Sequence, residues 1–227
     1  MTTFPGAPRL LRGSIVVIEP NSPVSSAIPF QYNPETLSRS ISPRTKSVGK
    51  EKDAIAQLGS AETLLIVGPP KESISLKIII DATDQLERGD AQAVKLGIHP
   101  QLAALEMLLY PKVKDVMTNK TLTEAGTLEI KPMQLPLTLF SWGNKRTLPV
   151  NIESLSIEEQ AYDVNLNPIR AEVSLSMQVL SYTDLPLASK GGSQFMAYHR
   201  SKEQLATQNN GGINRMAGTK IPGLPSL

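Results

Sequence analysis

The sequence predicts a mainly β, antiparallel fold, and three observations carry that reading. Ile169, Ala171, Val173, Leu175, Met177 and Val179 alternate without interruption with Arg170, Glu172, Ser174, Ser176 and Gln178, the period-two signature of a strand with one buried face. Ile74, Leu76, Ile78 and Ile80 repeat the pattern, with Ser73, Ser75, Lys77 and Ile79 on the other side. Short apolar runs elsewhere are closed by proline, glycine or asparagine, as strands joined by turns require.

In chain order, Ile15 to Ile18 form a strand that Pro20 and Pro23 close. Ile28, Phe30 and Tyr32 alternate with Pro29, Gln31 and Asn33 and read as a second strand, ended by Asn33-Pro34. From Ser38 to Gln57 the chain turns polar and charged, as in an exposed loop or extension. The Ile74 to Ile80 strand follows Gly68-Pro69-Pro70, and Thr83 to Gly97 reads mostly as a polar excursion. Leu102, Leu105, Leu108 and Leu109 then recur at helical spacing, with Pro100 tolerated in the first turn and Pro111 stopping the helix.

Leu135, Leu137 and Leu139 alternate toward Trp142, and Gly143-Asn144 reverses the chain. Leu148, Val150 and Ile152 share one parity while Leu155 and Ile157 share the other, so a bulge or face change is expected near Glu153-Ser154. A turn at Asn165 to Pro168 leads into the Ile169 to Val179 strand. Burying Val173, Leu175, Met177 and Val179 contributes about 2 kcal/mol each before ordering entropy is set against it. The residue-level reading is an antiparallel β domain, closed or sandwich-like, partly covered by a helix.

Composition narrows the function classes. Twenty-three basic against twenty-one acidic residues leave a formal charge of +2, too balanced to imply nucleic-acid binding. Cysteine is absent, which removes disulfides, thiolate catalysis and thiolate metal sites. No segment approaches a membrane span, and Met1 to Leu11 lacks the pattern of a cleaved secretion signal.

His99 beside Pro100 reads as a capping or surface residue, and His199 among Tyr198, Arg200 and Lys202 as exposed or interacting. Asp81, Asp84, Glu87 and Asp90 could in principle supply oxygen ligands, but they lack a calcium-loop spacing and read as a solvated acidic loop, with Asp81 ending its strand through a local hydrogen bond. Leu65 to Ser73 lacks the Gly-Lys-Ser/Thr ending of a phosphate loop. Arg39, Arg44, Lys46, Lys50 and Lys52 form a basic patch interrupted by Glu51 and Asp53, suited to a solvated arm or an acidic protein partner. Trp142 reads as an edge-packing anchor. No catalytic, cofactor or metal site emerges, and the expectation is a non-enzymatic structural protein with no cofactor.

Three separated stretches sharpen this. Phe30-Gln31-Tyr32-Asn33-Pro34-Glu35-Thr36-Leu37, Leu137-Thr138-Leu139-Phe140-Ser141-Trp142-Gly143 and Asn167-Pro168-Ile169-Arg170-Ala171-Glu172-Val173-Ser174-Leu175 together resemble the tube-related domain of contractile injection systems and contractile phage tails. The resemblance runs from about Ile15 to Leu187 and is greatest to the LysM-bearing baseplate adaptors that initiate the tube.

It implies a tube-protein-like split antiparallel β-barrel with a flanking α-helix, assembled as a homo-hexameric ring. The implied role is a baseplate adaptor joining the spike hub to the inner tube and templating tube assembly. An inner-tube or tube-terminating subunit, or a non-catalytic sheet-based module binding peptide or polysaccharide, is the alternative. Implied partners are the spike or hub protein, the inner-tube protein and neighbouring baseplate subunits, without nucleic acid or direct membrane binding, in a phage tail-like particle assembled in the bacterial cytoplasm.

The residues that would carry the resemblance structurally are Phe30, Tyr32 and Asn33 in the early sheet, Trp142 and Gly143 at a strand-to-turn junction, and Asn167, Pro168, Arg170 and Ala171 at the last hairpin. The expected organisation is an N-terminal extension (1–14), a β domain (15–187) with an extended loop around 38–62, and a docking or flexible tail (188–227). In that tail Phe195, Met196, Tyr198 and Leu205 would form one side of a short helix, set apart by Gly191-Gly192. Nothing after Leu187 resembles a LysM module.

Overall fold

The computed structural model describes residues 11–19, 25–45, 66–124 and 135–208. Seven strands are β1 (Ser14–Ile18), β2 (Ser25–Pro29), β3 (Leu37–Thr45), β4 (Ile66–Asp81), β5 (Leu137–Trp142), β6 (Arg146–Tyr162) and β7 (Pro168–Val179). Five helices are α1 (Thr83–Glu87), α2 (Ala91–Leu96), α3 (His99–Glu106), α4 (Val113–Glu124) and α5 (Lys190–Gln208). Among the described residues no helix is long and apolar enough to cross a membrane.

All seven strands belong to one sheet in the order β2-β1-β5-β6-β7-β4-β3, with every pairing antiparallel. The expected split barrel is not what forms, because the sheet is open. β2 and β3 are its two edges, and no ladder joins β2 to β3 or to β4. The reason lies at the end of β2. The strand has five residues, Pro29 cannot donate to a ladder, and the chain leaves at Phe30. A side chain makes the crossing instead: Gln31 Nε2 donates to the Asp81 carbonyl (2.6 Å) and Gln31 Oε1 accepts from the Asp81 N–H (2.9 Å). Tyr32, expected in the same strand as Ile28, lies exposed in the connection beyond it.

One face of the sheet carries the core. Registers place Ile15 beside Phe140, Phe140 beside Leu148, Val150 beside Val179, and Met177 beside Ile74, so the buried parity continues from strand to strand. The alternation expected in β7 and β4 is buried from Ala171 to Val179, with Ile169 only half-buried, and Ala171, Val173, Leu175 and Met177 lie level with Ile80, Ile78, Leu76 and Ile74. The register shift in β6 falls between Ile152 and Ser154, where the parity change required it. In β5 the core residues are Thr138 and Phe140, while Leu137 and Leu139 are only half-buried. The apolar stripe of α3 covers this face through Leu102 and Leu105, and Leu108 follows just beyond the helix.

Two stretches read as irregular are ordered. Residues 37–45 are the edge strand β3, exposed over nearly its whole length and therefore polar in composition. Thr83 to Gly97 contains α1 and α2, and the Asp90 carboxylate caps α2 by accepting from the N–H groups of Gln92 and Ala93. Pro69 and Pro70 are tolerated inside β4 because its pairing with β7 begins only at Ser73.

The tail region also differs in detail. Gly191 and Gly192 lie in the first turn of α5, not in a linker before it. A Cβ on Gly191 would meet Leu185 at 2.6 Å, and one on Gly192 would meet the Pro186 carbonyl at 2.3 Å. The glycine pair thus permits close approach, with Ser189 capping the helix through its hydroxyl to the Gly192 N–H. α5 lies against β6 of its own chain, and residues 209–227 fall outside the described residues.

Gly97 ties the helical layer to the sheet. It has φ +57°, and a Cβ there would sit 2.1 Å from the Pro168 carbonyl, which accepts from the Ile98 N–H. Gly97→Ala should therefore lower stability by about 2–4 kcal/mol, from left-handed strain plus a backbone clash. Gly89→Ala, at φ +67° with nothing within 4 Å, should cost about 1 kcal/mol. Urea midpoints with unchanged slopes would measure both, and equal losses would refute the clash.

Candidate assembly surfaces

The residues that resemble tube proteins fall into separate places. Phe30 is 2% exposed, its ring centroid 6.4 Å from that of Phe140, and Trp142 stacks on Phe140 at 6.0 Å. Trp142 itself is half-buried at the end of β5, and Gly143, at φ +65°, begins the turn into β6. Asn33 is exposed but structural: its Oδ1 accepts from the Gly13 N–H and its Nδ2 donates to the Leu11 carbonyl. Pro168 and Ala171 are buried at the start of β7, while Arg170 points outward, 3.7 Å from Asp81.

Among the described residues no three or more His, Asp or Glu side chains gather as a metal-holding group. The acidic run has local duties. Asp81 accepts from the N–H and hydroxyl of Thr83, as a strand terminator should. Burial pushes its carboxyl up, but the two Thr83 hydrogen bonds and the Arg170 charge outweigh this and hold it below its ordinary value. His199 stacks on Phe195 and lies 3.4 Å from Glu203. Of the basic patch, Arg39 and Arg44 lie on β3, and Lys46, Lys50 and Lys52 lie outside the described residues.

A buried carboxylate holds α5. Glu72 is 4% exposed and receives Arg39 from β3 at 2.5 Å and Lys202 from α5 at 3.0 Å. Arg39 also donates to the Tyr198 hydroxyl at 3.1 Å, and the Lys202 ammonium sits 4.3 Å from the Tyr198 ring centroid. Phe195 and Tyr198 are each 8% exposed, so α5 fastens to its own sheet by an apolar contact plus this polar latch. The sequence hinted at Phe195 and Tyr198 through helical spacing, but Glu72 sits far away in the chain and carried no signal.

Neither protein-family models nor curated proteins gave a match to this chain.

The first surface is the outer face of β3, β4, β7 and β6. Registers align Ser38, Ser75, Ser176 and Ser154 in one row and Lys77, Ser174 and Ser156 in the next. These hydroxyls line a shallow groove of about 330 Å³, with the Lys77–Glu172 pair (2.6 Å) beside it. Lys77 is held above its ordinary value by its hydrogen bond to Glu172.

The second surface is a pair of strand edges. Among the described residues β3 pairs only with β4. β5 covers β6 only from Arg146 to Val150, so residues 151–162 of β6 have no strand partner on that side among the described residues.

The third is the tip between β6 and β7. Val164 is 98% exposed and Leu166 77%. Leu166, at φ +62°, is the one non-glycine residue with positive φ among those described, a conformation costing roughly 1 kcal/mol. The Asp163 carboxylate fixes the turn by accepting from the N–H groups of Asn165 and Asn167 and from Asn167 Nδ2.

Two expectations follow. Glu72→Gln should cost about 2 kcal/mol, less than for a fully buried pair because Arg39 and Lys202 can regain water, and should speed hydrogen exchange in α5 more than in β7. Uniform acceleration would show that the latch does not act on α5. Asp163 is held below its ordinary value, chiefly by the Asn167 side-chain hydrogen bond. Its support for the tip is therefore complete above about pH 4 and lost as pH falls through the lowered folded value. Amide exchange at Asn165 and Asn167 should rise in acid in the native protein but be insensitive to pH in Asp163→Asn after correction for intrinsic rates.

Proposed function

We propose that this chain is a non-catalytic structural module that assembles by adding strands at its edges, in the manner of an inner-tube subunit. The observation that carries this is the pair of bare edges, β3 and β6 from 151 to 162, on either side of one four-stranded block with a hydroxyl-lined outer face. Unpaired edges have N–H and C=O groups that another chain can satisfy. Strand direction alternates across β6-β7-β4-β3, so a neighbour's β6 laid beside β3 continues the antiparallel ladder.

Two different edges meeting head to tail form a heterologous contact, which closes into a ring when the rotation permits. Six copies of a four-stranded block would line a pore with twenty-four strands, about 37 Å across at about 4.8 Å per strand before strand tilt is added. The hydroxyl face then forms the wall of a hydrated lumen, leaving the apolar face to the core. Identical copies suffice for this closure.

Because the natural sequence has no cysteine, single cysteines report selectively. Separate copies carrying Ser40→Cys on β3 and Ser156→Cys on β6 should cross-link through a bismaleimide when mixed, and the concentrated native chain should show closed rings of six in electron micrographs. Monomers at every concentration, with no cross-link above that of unfolded controls, would sink the proposal.

A further inference from the structure

We propose that the β6–β7 tip of one copy seats in a groove at the open seam of the next. The inference rests on the ring reading and names a contact that edge pairing alone does not require. The groove, about 450 Å³, lies between β2 and the Ile78 to Ile80 stretch of β4, roofed by α3. β3 does not reach this stretch, since its pairing with β4 starts at Leu37 opposite Leu76. The walls are apolar, including Ile28, Phe30, Ile78, Ala104 and Leu105. Two polar features complete it. Gln101 Oε1 is buried there without a hydrogen-bond partner, and Arg12 is the one charged side chain lining the groove.

The tip has the matching chemistry. Val164 and Leu166 present apolar side chains to solvent from a turn that Asp163 and Asn167 hold rigid. A leucine in a left-handed position, 77% exposed, contributes little to packing within its own fold, while a rigid apolar projection loses little entropy on docking. Asp163 in the tip carries charge opposite in sign to Arg12, while Arg170 stands level with Ala161 on the strand behind it.

Register places the two features side by side in the assembly. Leu155 lies level with Leu175, Leu76 and Leu37 across the sheet. If a neighbour's β6 joins β3 at that level, its residues beyond Leu155 pass the start of β3 and run alongside Lys77 to Ile80, carrying the tip to the groove mouth.

Leu166→Gly is the decisive variant because it removes the projection while relieving positive φ, so the fold is kept. It should raise the concentration needed for ring formation at least tenfold with the thermal midpoint unchanged or higher. Copies carrying Val164→Cys and Ala104→Cys should cross-link to each other on mixing. Rings and Ser40/Ser156 cross-links that persist while Leu166→Gly assembles normally and Val164/Ala104 copies stay unlinked would overturn the tip contact and leave the ring reading intact. A Val164/Ala104 link without the edge link would support the tip contact and overturn edge pairing. Absence of both links and of rings would overturn both.

Discussion

The bond pair between the Gln31 carboxamide and the backbone of Asp81 is the constraint on which the rest of the molecule depends. β2 and β4 are five places apart in the sheet order, about 24 Å in a flat sheet at roughly 4.8 Å per strand. Yet Gln31, two residues past the end of β2, touches β4 directly. The sheet must therefore be strongly rolled, and its inner face enclosed. With the curvature set this way, the α3 stripe and the buried side of α5 are enough to cover a core that holds few aromatic rings.

Rolling also separates the two faces by environment. The inside takes β-branched and leucine side chains, which fill a curved layer from several strands at once. The outside of β3, β4, β7 and β6 carries rows of serine, together with the Lys77–Glu172 and Arg170–Asp81 pairs. The serine rows leave a hydrated stretch of short side chains between the charged groups, with little for a passing chain to adhere to. That is the physical link between the period-two pattern of the sequence and the proposed role as the wall of a passage.

Much of the sheet was legible in the sequence because one buried face imposes strict alternation. β7, the second half of β4 and the β6 parity change near Glu153 follow from side-chain period alone. β3 was hidden because an edge strand exposed over nearly its whole length has no apolar parity to detect. The open seam was hidden for another reason: whether a rolled sheet closes depends on ladders at its ends, and a glutamine standing in for a strand leaves no pattern. Gly191-Gly192 misled for a third. Glycine signals either freedom or close approach, and only the positions of Leu185 and Pro186 show that it is the second here. Of the assembly surfaces, the turn at Asn165 to Pro168 was visible, but the exposure of Val164 and Leu166 was not.

A protein with two bare edges has to avoid pairing at random, and the edges themselves supply the means. β3 carries Pro43, with register shifts around Ser42 to Thr45, so two copies of β3 would meet an interrupted ladder. The open stretch of β6 carries Glu153, Glu158 and Glu159, which likewise disfavours a β6–β6 contact. For the proposed ring these features disfavour both symmetric dimers and leave the heterologous pairing, the kind that closes when the rotation permits. Specificity of this sort comes from repulsion in the wrong pairs as much as attraction in the right one. It needs no catalytic group or cofactor, only a sheet rolled tightly enough to present its two edges on either side of one hydrated face.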